Sequence, residues 1–168
     1  MTTTQAYEVI VIGGSFAGLS AAMQLARARR RVCVVDAGQP RNRFAAASHG
    51  FFGQDGESPL AMIEQARRKL AAYPTVGFVQ GTVVSATAQQ RAGSPENGFE
   101  VVLDDGTHME AHKLVLAFGV QDGLPEIAGL RERWAHRCCT ARIAMAMNLR
   151  ASGWGCCTTR QARPCTRS

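Results

Sequence analysis

Short apolar runs alternate along this chain with longer segments in which apolar residues recur every three or four positions. Apolar runs bounded by glycine or polar residues predict buried strands, and the longer period predicts helices that pack against them. Residues 7–36 follow the order strand, helix, strand. A second helix is expected to begin at Ser58 and Pro59, since these residues suit an N-cap and a first turn, and residues 76–79 predict a third strand. This alternation is typical of a parallel sheet.

Beyond the third strand the pattern changes to shorter, alternating segments. Residues 82–87, 99–103 and 107–113 predict three short strands, and residues 104–106 (Asp-Asp-Gly) suit a hairpin turn. Residues 114–119 form one more apolar run that ends in glycine, which predicts a separate buried strand. The sequence therefore predicts an α/β fold, with helices on both faces of the parallel sheet and an inserted antiparallel β-meander.

The turn between the first strand and the first helix has the composition of a phosphate-binding loop. Gly13 allows a sharp exit from the strand, and Gly14 and Ser15 are small enough for the backbone to approach a pyrophosphate. Gly18 lets the helix pack close to the sheet, while the helix N-terminus favours anions. Asp36 follows 18 residues after Gly18, where a carboxylate can accept hydrogen bonds from ribose hydroxyls. Dinucleotide binding is predicted. The alternative is an ordinary glycine-rich turn, because Ser15 stands where a second glycine is usual.

Charge divides the chain into two parts. Residues 135–168 contain six arginines and no acidic residue, which accounts for the whole net charge of +6, so residues 1–134 are formally neutral. The same segment holds every cysteine except Cys33. A neutral body with a polar, uncharged start predicts a cytoplasmic protein without a signal peptide, membrane partner or nucleic-acid partner.

The order of these motifs resembles the FAD-binding domain of thioredoxin reductase and its thioredoxin reductase-like relatives, which are class II pyridine nucleotide-disulphide oxidoreductases. The stretches that carry the resemblance are residues 9–22, 36–38, 41–43, 48–51, 114–119 and 124–130. The resemblance covers residues 7–134. It implies an FAD/NAD(P)-binding, Rossmann-like sheet and a first, incomplete part of an FAD-binding domain over residues 1–134.

FAD is the cofactor that this resemblance implies. Its pyrophosphate would lie against the glycine turn, the ribose of its adenosine half would bind Asp36, and its adenine would contact the backbone of Val83. Phe118 replaces the threonine of the family's usual Ala-Thr-Gly, so only a backbone contact is expected there. The implied cofactor-binding residues are Gly13, Gly14, Ser15, Phe16, Ala17, Gly18, Asp36, Ala37, Arg43, Val83, Ala117 and Gly119. No catalytic residue and no metal ligand is predicted.

Enzymes of the family that this chain resembles pass electrons from NADPH through FAD to a Cys-x-x-Cys pair, and from there to a thioredoxin-like or small disulfide substrate. They are homodimers with a separate NADPH-binding domain. The present sequence has neither that pair nor room for that domain. The resemblance therefore implies a truncated FAD-binding part of an oxidoreductase, with little or no turnover. A non-catalytic FAD-binding module and a flavoprotein with another electron acceptor are the alternatives.

Residues 135–168 have the composition of an out-of-frame translation, and we expect them to be disordered. When the chain is back-translated and read from the third base of the Trp134 codon, it can encode Cys-Pro-x-Cys-His-Gly, an active-site motif of thioredoxin reductase-like proteins. The alternative is a genuine basic tail that binds metal or nucleic acid. Its cysteine spacing, with adjacent pairs and one single residue, does not match a zinc site.

Overall fold

A computed structural model of the chain describes residues 6–90, 97–120 and 123–133. The tail expected over residues 135–168, and the frame break expected at Trp134, lie outside these residues. The helices and strands are β1 (Ala6–Ile12), α1 (Phe16–Arg27), β2 (Val32–Asp36), α2 (Pro59–Ala71), β3 (Val76–Gln80), β4 (Val83–Gln90), β5 (Asn97–Leu103), β6 (His108–Leu116) and α3 (Leu130–Arg133), with a short 3₁₀ turn at Arg41–Phe44. The described residues divide into two units, residues 6–41 with 60–90 and 97–120, and residues 42–59 with 123–133.

The first unit contains one six-stranded mixed sheet in the order β3-β2-β1-β6-β5-β4. Strands β3, β2, β1 and β6 are parallel neighbours, and β4, β5 and β6 pair antiparallel as a meander. The β5–β6 turn is the expected hairpin, in which Gly106 has a φ of 81° and its N–H donates to the carbonyl of Leu103 over 3.0 Å. The predicted Rossmann-like α/β class with an inserted meander is confirmed.

One strand takes the place of two that the sequence analysis separated. β6 runs without interruption from His108 to Leu116 and changes its partners along the way. It pairs with β5 from His108 to Ala111, and with β1 from Glu110 to Leu116. The sequence predicted a boundary between Lys113 and Leu114, where the apolar run begins. No glycine or proline stands there to turn the backbone, so the strand continues.

The two faces of the sheet bury different apolar clusters. On one face, Val9, Val11, Val32 and Val34 pack against residues of both long helices, among them Leu19, Ala22 and Ala26 of α1 and Ile63 and Leu70 of α2. On the other face, side chains of β1 and β2 pack with residues of the meander: Ile10, Ile12, Cys33, Val35, Val101, Leu103, Met109 and Ala111. Helices were expected on both faces. In the described residues α1 and α2 share one face, and meander side chains cover the other. Leu60, the second residue of α2, is exposed.

The described part of the second unit consists of the loop over residues 42–59 and of residues 123–133, which end in α3. Hydrogen bonds close the loop on itself. The N–H of Ser48 donates to the carbonyl of Glu57, and the N–H of Gly56 donates to the carbonyl of Ser48, both over 2.8 Å. Asp55 accepts a hydrogen bond from the N–H of Gly50 at 2.8 Å, and its carboxylate lies 3.5 Å from Nδ1 of His49. His49 is exposed. Among the described residues there is no helix both long and apolar enough to span a membrane.

Candidate functional site

The turn after β1 lies against the ends of two neighbouring strands. The N–H of Gly13 donates to the carbonyl of Val35 on β2, and the N–H of Ala117, just after β6, donates to the carbonyl of Ile12, both over 2.8 Å. Gly13 has a φ of 108°, and a Cβ atom there would lie 2.3 Å from the carbonyl oxygen of Ala117. Only glycine fits this position. The turn therefore sits at the carboxyl ends of the parallel strands, where open α/β sheets bind ligands.

Helix α1 begins at Phe16, directly after this turn. A Cβ atom on Gly18 would lie 1.8 Å from the carbonyl oxygen of Gly13, so the helix approaches the turn backbone as closely as a glycine permits. Ser15 is the N-cap residue, but its side chain makes no capping hydrogen bond, and the first turn contains no acidic residue. The N–H of Leu19, in the first turn of this helix, donates to the carbonyl of Ser15 at 2.9 Å. Such a helix start presents N–H groups and a positive dipole end to an anion.

Asp36, at the end of β2, has both carboxylate oxygens engaged. Its Oδ1 accepts the backbone N–H of Gly14 at 3.1 Å, and its Oδ2 accepts Nη1 of Arg67 at 2.9 Å. A Cβ atom on Gly14 would lie 2.7 Å from the Cβ and Cγ atoms of Asp36. Gly14 was expected to give room to a pyrophosphate. The structure adds a second requirement, because this glycine also gives room to the carboxylate.

Two further expected residues lie near Asp36 in the sheet. The N–H of Gly81, which follows β3, donates to the backbone carbonyl of Asp36 at 3.2 Å, and β4 begins two residues later at Val83. Val83 is partly buried against the cluster that contains Ile12 and Val35. Ala37 follows Asp36 directly and is exposed. The carboxyl end of the sheet thus brings together the glycine turn, the acid at the end of β2 and the start of β4.

The remaining expected residues occupy the segment after β6 and the second unit. The backbone of Ala117 contacts the turn, while the Phe118 side chain is 69% exposed. Gly119 has a φ of 70°, and a Cβ there would meet no neighbouring atom, so only its backbone conformation favours glycine. Arg43 belongs to the second unit, where its guanidinium lies over the ring of Phe44, 4.4 Å from the centroid.

Arg67 is a residue of this site that the sequence analysis missed. It lies on α2 between Ile63 and Leu70, and the spacing of these three residues puts them on one helix face. Ile63 and Leu70 are both buried. An arginine on the apolar face of an amphipathic helix was therefore the available signal, because a charge there needs a partner.

Cys33 is the one cysteine among the described residues, and it lies within β2, fully buried. Burial raises the pKa of its thiol from the ordinary 9.0 to about 11, against a smaller lowering by a hydrogen bond with Tyr7. Burial, with a smaller contribution from Cys33, raises the pKa of Tyr7 to about 12. A protonated, buried thiol is a poor nucleophile. Within the described ranges, no group of histidine, cysteine or acidic side chains could hold a metal ion.

The chain is similar to known proteins over most of its length. A family model described as pyridine nucleotide-disulphide oxidoreductase matches residues 7–152. A thioredoxin reductase of Gibberella zeae is 34% identical over 138 residues, which are 79% of this chain and 40% of that protein. A thioredoxin reductase of Claviceps purpurea is 32% identical over 135 residues, covering 80% of this chain and 41% of its own length.

Solved structures give the same result. The structure of an oxidoreductase from Agrobacterium tumefaciens is similar with a TM-score of 0.70 and 51% identity, covering 80% of this chain and 43% of that protein. The present chain therefore spans less than half the length of each of these relatives.

Proposed function

We propose that this chain, which belongs to the pyridine nucleotide-disulphide oxidoreductase family, binds FAD at the carboxyl end of its parallel sheet. The observation that carries the proposal is the contact between Gly14 and Asp36. The N–H of Gly14 donates to Oδ1 of Asp36 at 3.1 Å, so the turn that would hold the pyrophosphate is bonded directly to the acid that would bind the ribose. An ordinary glycine turn would not need a carboxylate at this place.

Each part of a dinucleotide has a matching group in this region. The pyrophosphate would lie over the α1 N-terminus, against the backbone of residues 13–18, where the helix dipole and N–H groups favour negative charge. The Asp36 carboxylate would accept hydrogen bonds from ribose hydroxyls, with Ala37 beside it. The backbone of Val83 would border the adenine.

Three further contacts to the cofactor come from the resemblance. The backbone of Ala117 and Gly119, just after β6, would border the cofactor. The N–H of Ala117 donates to the carbonyl of Ile12, directly before the glycine turn. Arg43 would contribute a charge from its loop.

We further propose that FAD serves disulfide reduction of the thioredoxin reductase type. When bound, the flavin supplies the two-electron chemistry, and the residues described here bind and orient it. The electron donor would be NADPH, and the acceptor would be a thioredoxin-like or small disulfide, in a cytoplasmic homodimer. The names of the Gibberella and Claviceps relatives support this substrate class.

The described sheet supports the expectation that this polypeptide alone does not complete that reaction. β5 pairs with β6 only as far as Ala111, so within the described residues one edge of the later part of β6 has no strand beside it. Two large apolar side chains at and just after the end of β6 are exposed, Leu116 at 64% and Val120 at 68%. Unpaired edges and exposed apolar groups at the end of a buried parallel strand favour an incomplete domain.

The test of FAD binding uses the full chain and the variant Asp36→Asn. Titration with FAD, followed by flavin fluorescence and calorimetry, is expected to give saturable binding, weakened about tenfold or more by the substitution, because hydrogen bonds to a charged group contribute roughly 1.5–3 kcal/mol. Glu64→Gln is the matched control, because Glu64 is an exposed acid on α2 whose nearest ion-pair distance is 3.9 Å. It should leave the affinity unchanged. Absence of saturable binding by the unaltered chain would disprove the proposal.

A separate assay tests the activity. NADPH oxidation with a disulfide substrate is expected to show no turnover by this polypeptide even when it is saturated with FAD. Clear turnover would refute the expectation of an incomplete enzyme and leave the proposal of FAD binding intact.

A further inference from the structure

We infer that Arg67 is a positioning residue of the FAD site, which holds the Asp36 carboxylate in the orientation that accepts the ribose hydroxyls. This inference rests on the proposed FAD binding and extends it to a residue outside the glycine turn. Arg67 would act through Asp36, and it would neither touch the flavin nor take part in its chemistry.

The geometry fixes the carboxylate from two sides. The Gly14 N–H reaches Oδ1 of Asp36 at 3.1 Å, and Nη1 of Arg67 reaches Oδ2 at 2.9 Å. Rotation about the terminal bond of an aspartate has a broad energy profile, so a carboxylate held by a single donor would turn readily. Donors on both oxygens define its plane. Each carboxylate oxygen has two acceptor sites, so a site on each oxygen remains for a ribose diol.

Arg67 itself is held in place. Its guanidinium lies 5.1 Å from the ring centroid of Phe78, on β3, at a distance typical of a cation–π contact. Phe78 is the register partner of Val34 in the parallel sheet. The Arg67 side chain is 35% exposed and that of Asp36 only 15%, so this ion pair is partly shielded from water. A shielded, stacked arginine loses less entropy in making its hydrogen bond than a flexible surface side chain does.

Neighbouring charges on α2 do not offer the same function. Arg68 is 73% exposed and lies 3.9 Å from Glu64, itself 72% exposed. Exposed pairs of this kind contribute little to stability. Arg68 therefore provides a control with the same change of charge, one residue away, without the contact to Asp36.

The experiment compares two ligands that differ only at the ribose, ADP and 2′,3′-dideoxy-ADP, by calorimetry on the full chain. The variant Arg67→Gln is expected to bind ADP about tenfold more weakly, an effect of roughly one charge-assisted hydrogen bond. Its affinity for the dideoxy analogue should change less than about twofold, because that ligand cannot use the carboxylate. Arg68→Gln should alter neither affinity.

A double-substituted chain tests the route of the effect. If Arg67 acts through Asp36, then Arg67→Gln has no further effect on ADP affinity once Asp36→Asn is present, because residues that act as one unit are not additive. Arg67→Lys keeps the charge but not the planar fork, and should lose an intermediate amount of ADP affinity. It also replaces the glutamine variant if that variant fails to fold, as judged by thermal unfolding.

The possible failures are distinguishable. Equal losses for both ligands would show a general effect on the fold and would overturn the inference. Unchanged ADP affinity in Arg67→Gln and Arg67→Lys would overturn it as well, while binding by the unaltered chain and weakening by Asp36→Asn would keep the proposed FAD site. If the unaltered chain binds neither ADP nor FAD, both the site and the inference fail.

Discussion

Replacing Gly18 by alanine should destabilise the protein, although the same change inside a helix normally stabilises it. Alanine is better than glycine in a helix interior by about 1 kcal/mol. Here the new Cβ would lie 1.8 Å from the carbonyl oxygen of Gly13 and 3.2 Å from a methyl group of Val11. The sign of the effect therefore depends on whether the turn can move away from α1.

The surrounding contacts oppose that movement. Atoms of this kind do not approach within 3.0 Å, so the helix start and the turn must separate by roughly 1 Å. The obstructing atom is backbone and cannot rotate aside, and the N–H of the same residue, Gly13, is bonded to the carbonyl of Val35 at 2.8 Å. Overpacking costs about 3 kcal/mol at the upper end of its usual range, and the upper end applies here because the obstructing atom is backbone. After the gain in helix propensity is subtracted, we expect Gly18→Ala to lower the free energy of unfolding by about 2 kcal/mol.

Urea denaturation followed by circular dichroism measures this change. Ser20→Ala is the matched control, because Ser20 is exposed on the same helix and should gain about 0.5 kcal/mol from helix propensity alone. Gly18→Ala should also weaken FAD binding by at least about tenfold, since a shift of the helix start moves the N–H groups away from the pyrophosphate. A Gly18→Ala protein as stable as the unaltered chain, with the same FAD affinity, would refute the close approach and its role.

Two other predictions concern the end of α1 and the buried thiol. Arg29 has a φ of 57° just beyond α1, so Arg29→Gly should raise stability by about 1 kcal/mol in urea denaturation, while Arg27→Gly within the helix should lower it by a similar amount. Folding raises the pKa of Cys33 from 9.0 to about 11, so the unfolded chain releases this proton first and stability should fall by about 2–3 kcal/mol between these pH values. Cys33→Ala should flatten that decline in pH-dependent denaturation, and an equally steep decline in this variant would contradict the assignment. At neutral pH, peptide mapping should find Cys33 unalkylated in the folded chain.

The sequence predicted most of the sheet because its apolar runs are short and bounded by turn residues. β1, β2 and β3, the hairpin at Gly106 and the start of α2 follow from such local signals. The continuity of β6 does not, because it depends on two different neighbours. Polar residues in the middle of that strand are tolerated where pairing passes from β5 to β1. The sequence pattern of one strand does not show that the strand changes its pairing partner along its length.

The candidate site divides in the same way. Gly13, Gly18 and Asp36 were recognisable because a fixed spacing along the chain places them at one turn. Arg67 was not, since it lies 31 residues from Asp36 and reaches it only when α2 packs on the sheet. The need for a glycine at position 14 to leave room for the Asp36 carboxylate could not be predicted from the sequence for the same reason. Its hydrogen-bond acceptor is 22 residues away, at the end of another strand.

These contacts explain why cofactor binding and turnover should be separable in this chain. The glycine turn, Asp36, Arg67 and the start of β4 all belong to the first compact unit, and hydrogen bonds among them join the turn to the sheet. The groups proposed to hold the pyrophosphate, the ribose and the adenine of the ADP half of FAD therefore all lie in this unit. Electron transfer to a disulfide also needs a nicotinamide site and a redox cysteine pair, and the described residues contain one cysteine, buried and protonated. If the proposed site is correct, we expect FAD titration to show binding and the NADPH assay to show no disulfide reduction by this chain.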